Sequence, residues 1–319
     1  MFRLKVARSA AEIEKLSSVW DSLLAPELSL FQSYRWNHLA AQAFASREQP
    51  HFIFVESGSG AAIIPAVIDK QSRTIRFAGE RLFDYRDYLA QGDEAALTGA
   101  WQELPVLNLP LSVTSVCRPE SGTWRHLPKT FFSRAPRLVN NLTAAEQFEQ
   151  QHSRAFSRLR RLERMGLRIA QYRGDSAMVR HIYELRARQS AEGELFHDPL
   201  RVEFMVAVCR GEGSACEVFT LEHGSTLAAA LVTFRDHGTR RFYTTCYHRG
   251  WARYSPGASL LFEIARRSLA QELSCDLMTG EQAYKMRIAR GAQDLFQVHA
   301  TTQQLQELLS RQTTRERAA

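Results

Sequence analysis

The stretch from Arg240 to Lys285 constrains this chain more than any other. It reads as a β-forming segment (Arg240 to His248), a loop (Arg249 to Ser255), the turn Pro256-Gly257-Ala258-Ser259, a long amphipathic helix, and a short strand at Cys275 to Met278. It closes on Gly280-Glu281-Gln282-Ala283-Tyr284-Lys285. Strand, small-residue turn, helix, strand brings a helix N-terminus to a sheet, where unpaired backbone N–H groups and the helix dipole hold anions. Ser255 stands where an N-cap is expected, and Pro256 suits the first helical position because its missing N–H loses no partner. Leu261, Ala265, Leu269 and Leu273, with Leu260 and Ile264 beside them, predict one buried helical face.

The rest of the chain alternates in the same manner, in two halves. Residues 9 to 25 and 33 to 46 read as helices; His51 to Ser57 and Ala61 to Asp69 read as strands paired across Gly58-Ser59-Gly60. Thr74 to Ala78, Leu104 to Leu109 and Ser112 to Val116 continue as strands. The second half begins with a helical stretch from Ala144 to Met165, a strand at Leu167 to Tyr172, and helices at Ser176 to Glu192 and Pro199 to Arg210. A hairpin around His223-Gly224-Ser225 joins Cys216 to Glu222 with Thr226 to Asp236, and Arg240 to His248 completes a three-strand meander. Asp198, just before Pro199, reads as a helix cap rather than as half of a dyad with His197.

With 319 residues the chain has room for two domains. No apolar run reaches the roughly 18–20 residues of a membrane span. Met1-Phe2-Arg3-Leu4-Lys5-Val6 leads into charged residues rather than an apolar signal core, so a cytoplasmic protein is expected. The five cysteines are scattered with no Cys-x-x-Cys pair, which argues against a zinc site or a disulfide framework; no metal is expected. The net charge of +7 comes almost wholly from arginine. Arg154, Arg158, Arg160, Arg161, Arg164 and Arg168 form one dense cluster, either a solvated helix face or a seat for an anionic ligand. No module for sequence-specific nucleic-acid binding is visible.

The segment "RYSPGASLLFEIARRSLAQELSCDLMTGEQAYKMRIA" resembles the C-terminal part of the Fem-like branch of the GNAT acyltransferases. These are bacterial proteins often labelled cellulose-biosynthesis or CelD-like acetyltransferases. The residues that carry the likeness are Tyr254-Ser255-Pro256-Gly257, Asp276, Gly280 and Tyr284-Lys285. "FSRLRRLERMG" (Phe156 to Gly166), "LRARQSAEGELFHDP" (Leu185 to Pro199), "FQSYRW" (Phe31 to Trp36) and "DYRDYL" (Asp84 to Leu89) are similar to the same branch. The resemblance implies an α/β chain of two tandem GNAT-like lobes, each with helices, an antiparallel meander and a strand-helix-strand unit. The expected boundaries are 1–135 for the first lobe, 136–305 for the acyltransferase lobe, and 306–319 for a polar tail.

The same resemblance implies an N-acyltransferase that moves an acyl group, acetyl above all, from acyl-CoA to an amine of a sugar or a cell-envelope or exopolysaccharide precursor. Such a transfer needs the donor's pyrophosphate held, the thioester carbonyl polarised and a proton removed from the amine. Arg253, Ser255, Gly257, Ala258 and Lys285 are the expected donor-binding residues. The loop departs from the usual GNAT pattern of a Gln or Arg with two spaced glycines, since only Gly257 and the small Ala258 are present. Tyr247 is expected to protonate the leaving thiolate, and Glu281, Asp87 or His248 to serve as base. Asp84, Tyr85 and Tyr88 are the expected acceptor contacts. Each position also has a structural reading: strand packing for Tyr247, a loop ion pair with Arg81 or Arg86 for the Asp84 to Asp87 segment, and an ion pair with Glu281 or Asp276 for Lys285. With no Gly-x-Ser-x-Gly elbow and no Cys/His pairing, direct transfer in a ternary complex is expected. The alternatives are a catalytically silent binding component of a polysaccharide system and a Fem-type transferase using aminoacyl-tRNA.

Overall fold

The computed structural model describes residues 2–140, 144–189 and 195–308. The chain divides into two compact units: Arg134–Gln293, and the chain on either side of it. Each unit carries a mixed, mostly antiparallel sheet with flanking helices, the α/β class expected from the sequence. Among the described residues, no helix is long and apolar enough to cross a membrane.

The first unit contains β1 (Phe2–Ala7), β2 (Glu48–Ser57), β3 (Gly60–Asp69), β4 (Thr74–Phe77), β5 (Leu89–Gln91), β6 (Leu111–Val116) and, from Asp294 onward, the last strand β13 (Gly291–Ala300). Its sheet order is β1-β2-β3-β4-β6-β13, with β5 against β3. Helices α1 (Ala10–Glu14), α2 (Ser17–Ser22), α3 (Tyr34–Ala43) and α4 (Glu94–Gln102) flank it. Because strand side chains alternate faces, β2 feeds two cores. Phe52 and Phe54 pack with Ile13, Leu16 and Trp20, and Ile53 and Val55 pack with Ala96, Ala100 and Trp101.

Two local expectations are corrected here. The helix expected over 9–25 breaks at Lys15-Leu16, so that Ile13, Leu16 and Trp20 all reach the core. The strand expected at Leu104 to Leu109 is a 3₁₀ turn, Pro105–Leu107, closed by Asn108 at φ 53. Pro105 has no N–H to give a strand ladder.

The second unit contains β7 (Lys129–Leu138, from Arg134 onward), β8 (Arg168–Arg173), β9 (Cys216–His223), β10 (Thr226–Asp236), β11 (Thr239–Tyr247) and β12 (Ser274–Asp276), in the order β7-β12-β11-β10-β9-β8. Its helices are α5 (Ala145–Gln151), α6 (Ser153–Arg164), α7 (Ser176–Gln189), α8 (Pro199–Glu212), α9 (Pro256–Ala270) and α10 (Ala283–Ile288). The helix expected over 144–165 is interrupted at His152, whose φ of −113° and ψ of 26° end one helix and begin the next. The C-terminal end of the helix expected over 176–192 falls beyond Gln189, outside the described residues. Asp198 caps α8, accepting from the Leu200 N–H at 3.1 Å. On α9 the expected face is buried: Leu260, Leu261, Ile264, Ala265 and Leu269 pack with Phe219, Leu231 and Phe242.

A buried ion pair fixes this sheet against α9. Arg240 on β11 donates to Glu217 of β9 through Nη2 (2.7 Å) and Nε (3.1 Å), and to Ser268 Oγ of α9 through Nη1 (2.7 Å). Both charges are out of water, and removing Arg240 takes from Glu217 its only buried counter-charge among the described residues, leaving it with Gln171 (3.0 Å) and the more exposed Arg173 (3.6 Å). Arg240→Met is therefore expected to cost roughly 3–5 kcal/mol in urea unfolding. Adding Glu217→Leu should restore much of that loss; a double variant as unstable as the single one would contradict this account.

Candidate active site

The site of the second unit begins where two strands part. β11 pairs in parallel with β12 only from Thr239↔Ser274 to Arg241↔Asp276. Its antiparallel ladder with β10 runs on to Tyr247. Beyond Asp276 the chain follows β7 instead: Leu277 N–H donates to Pro136 O at 3.0 Å and Gly280 N–H to Arg134 O at 2.8 Å. Asp276 fastens the fork. Its Oδ2 accepts from Arg241 Nη1 at 2.7 Å and its Oδ1 from the Met278 N–H at 2.9 Å. The parallel ladder thus stops at Arg241, while the antiparallel one continues to the end of β11.

A cavity of about 280 Å³ is lined by Thr245 and Tyr247 of this strand end, Ser255, Gly257 and Leu261 at the start of α9, and Tyr284 of α10. Ala252 and Ala258 complete it. Ser255 occupies the cap position in the left-handed region (φ 51, ψ 52), and its hydroxyl caps nothing. Ser255 thus holds the expected N-cap position without a side-chain capping bond. Pro256 has no N–H, and the first bond of α9 runs from Ser259 N to Ser255 O (3.1 Å). The amides of Gly257 and Ala258 therefore lie in the turn whose N–H groups have no partner within the helix. A Cβ at Gly257 would stand 3.5 Å from the Tyr247 ring and 3.6 Å from Thr245 Cγ2, so glycine leaves open the space between helix start and strand end.

A second cavity, about 370 Å³, shares Ala258 as a wall. It is lined by His152, Ser153, Arg154, Arg158 and Arg287 over Phe262, and among the described residues no acidic side chain lines it. The start of α6 faces it without a side-chain cap. His152 Nε2 is buried with no hydrogen-bond partner among the described residues, and burial followed by the Arg290 charge pushes its pKa down. Two of the clustered arginines thus meet a helix start, which together favour anions.

Of the expected site residues, Tyr247, Ser255, Gly257 and Ala258 come together in the first cavity. Arg253 lies outside its lining, exposed on the 3₁₀ turn Arg249–Tyr254 with its Cζ 4.7 Å from the Tyr254 ring centre. Lys285 is buried, and its ammonium donates to the carbonyls of Thr279 (2.8 Å) and Met278 (3.2 Å), tying α10 to the diverging segment. Its neighbour Tyr284 is the wall of the cavity. Glu281 is exposed, 3.5 Å from Arg134. His248 Nδ1 accepts the Gly250 N–H at 3.1 Å and so caps the loop turn.

The Asp84 to Tyr88 segment lies in the first unit. Asp87 is fully buried and accepts from Arg118 Nε (2.6 Å), Trp124 Nε1 (3.0 Å) and the Tyr88 N–H (2.9 Å). Its partner is Arg118 rather than Arg81 or Arg86. Arg86 instead donates to carbonyls of Phe83 (2.9 Å) and Glu80. Tyr85 is buried against Phe31, the ring centres 5.8 Å apart, and Asp84 is half-buried.

Sequence reasoning missed Thr245, Leu261 and Tyr284. The period of two along β11 puts Thr245 on the face of Tyr247, and that signal was available. It also missed His152, Arg287 and Arg118, which no local pattern connects to a site.

Residues 148–286 match the family described as "Acetyltransferase (GNAT) domain". The fold is shared with several solved structures. One, from Agrobacterium fabrum, is described as the C-terminal domain of a lysylphosphatidylglycerol synthetase (12% identity, TM-score 0.60, covering 94% of this chain and 96% of that one). A tandem GNAT protein from the clavulanic acid biosynthesis pathway aligns at 11% identity and TM-score 0.54 over 95% and 99%. FemX aligns at 9% identity and TM-score 0.56 over 93% and 98%. At such identities the likeness establishes fold alone. No curated protein sequence matches the chain.

Proposed function

We propose that the second unit transfers an acyl group from acyl-CoA to an amine in a ternary complex. The observation that carries the reading is the pair of cavities sharing Ala258. One is narrow, largely apolar and set between a strand end and an uncapped helix start; the other is basic. An acylated thiol arm suits the first, and the phosphates at its far end suit the helix start and the arginines beyond it.

In this reading the amine nitrogen attacks the thioester carbonyl carbon, a C–N bond forms and the C–S bond breaks. An outward N–H of β11 polarises the carbonyl, and Tyr247 gives the departing thiolate its proton. Glu281 is the candidate to take the proton from the amine. Asp87, committed to Arg118, Trp124, the Tyr88 N–H and the Cys117 thiol, is assigned to holding Arg118. Lys285 is assigned to positioning Tyr284. The acceptor class, an amino sugar or a cell-envelope or exopolysaccharide precursor, rests on the resemblance to the Fem-like, CelD-like branch.

The test is thiol release from acetyl-CoA in the presence of amino-sugar acceptors. Tyr247→Phe is expected to lower kcat about 10²-fold while leaving KM for acetyl-CoA near the wild-type value, the effect of losing one general acid. Wild-type protein that binds aminoacyl-tRNA and neither binds nor consumes acetyl-CoA would replace this donor with the Fem-type one.

A further inference from the structure

The first unit holds a cavity of its own, about 210 Å³, whose polar walls are Glu27, Tyr88, Glu94, Arg118 and Ser121. That volume falls below the roughly 300 Å³ at which cofactor- and drug-sized sites begin. The floor is rigid: the Tyr88 ring stands among Trp124 (5.9 Å) and Trp101 (6.2 Å), which are 5.0 Å from each other. Gly122, at φ 43, brings the backbone against the phenol. A Cβ there would sit 2.2 Å from Tyr88 Oη.

Arg118 is the built element. The fully buried Asp87 is itself fixed by Trp124 and Tyr88, and it takes the Arg118 Nε at 2.6 Å. A buried carboxylate is costly unless fully partnered, and here its partners set the plane of a guanidinium that lines the cavity. With Nε spent, the terminal nitrogens remain; Nη1 meets Glu27 Oε1 at 3.4 Å, where Glu27 is well exposed. Acidic groups complete the site. Asp93 caps α4 by accepting from the Ala95 and Ala96 N–H groups, and Glu94 of the first turn lines the cavity.

The contrast with the cavities of the second unit is chemical. There the start of α9 has no side-chain cap and no acidic residue in its first turn. Here the dipole of α4 is already met by Asp93, and Glu94 and Glu27 repel a polyphosphate. One fixed cation facing two carboxylates selects a ligand carrying both charges at short range.

We infer that this cavity binds a small zwitterion, an α-amino carboxylate, with its carboxylate on the Arg118 fork and its ammonium between Glu27 and Glu94. Glu27 then exchanges its long contact with Arg118 for the ammonium. The inference is independent of the donor assigned to the second unit.

The experiment is calorimetric titration of the full chain with each of the twenty proteinogenic L-amino acids. At least one is expected to bind, and its N-acetyl and carboxamide derivatives to bind at least tenfold more weakly. Arg118→Gln should weaken the same amino acid at least tenfold. Because that change also strips a buried carboxylate of its partner, Glu94→Gln at the exposed helix start provides a second variant, with a severalfold loss expected. The inference is overturned if no amino acid binds the wild type, if the analogue of the bound amino acid that lacks the α-amino group binds as tightly as the amino acid itself, or if neither folded variant alters affinity.

Discussion

Gly257→Asp is expected to lower acetyl-CoA affinity about 100-fold, or ~2.8 kcal/mol at ~1.4 kcal/mol per tenfold, without destabilising the fold. Two terms act on the ligand and one on the protein. The new side chain enters the space between α9 and the Tyr247 ring, where even a Cβ would stand at van der Waals distance. Its carboxylate then occupies the first turn and repels phosphate where the dipole would otherwise attract it. For the protein itself the same charge is favourable at a helix start, by about 0.3–1 kcal/mol, and no left-handed backbone angle is required of residue 257. Binding and stability thus move in opposite directions. Calorimetry with acetyl-CoA and a thermal melt of the same sample check both; lost binding with a lowered Tm would mean that damage to the fold, not the pocket, is responsible.

The second large effect lies in the first unit and concerns stability. Glu48, at the start of β2, is buried, and its Oε1 has no hydrogen-bond partner among the described residues. Burial, with the Glu80 charge next, pushes its pKa up to about 8, against the opposing pull of Arg86 and Arg76. The folded chain therefore keeps this proton through a range in which the unfolded chain has released it. Stability from this group is fully present below the ordinary glutamate range and is lost as pH rises from about 4.5 to about 8. At roughly 1.4 kcal/mol per pH unit the loss approaches 4–5 kcal/mol as an upper bound. Glu48→Gln mimics the neutral acid, so the variant should match the wild type near pH 4 and exceed it by a few kcal/mol at pH 8.5. Urea unfolding at the two pH values, with hydrogen exchange in β2 to localise the change, measures the difference. A pH-independent gap between the two proteins would refute the assignment.

What the sequence made legible were the features written in consecutive residues. Gly58-Ser59 and Gly224-Ser225 close their hairpins, Asp198 caps α8, and the apolar stripe of α9 faces the core. The turn from Ser255 to Ala258 and the strand end at Tyr247 belong to the same class, and they meet in one cavity. The fork that opens that cavity was not legible. It depends on Asp276 meeting Arg241, on Leu277 meeting Pro136, and on Gly280 meeting Arg134, all distant in sequence. Lys285 was expected to bind the donor because it falls in the Tyr284-Lys285 pair, yet membership of a motif says nothing about direction. Successive helical residues point about 100° apart, and it is Tyr284 that faces the cavity. Asp87 was legible as an important acid, but its donors include Arg118 and Trp124, 31 and 37 residues away. No local pattern announces them.

The most direct test of the acyl-donor reading is titration of acetyl-CoA into the full wild-type chain by calorimetry. One site per chain with micromolar affinity, competed by free coenzyme A, is expected. No heat and no competition at millimolar acetyl-CoA would contradict the assignment of the cavity between β11 and α9 to an acyl-CoA donor.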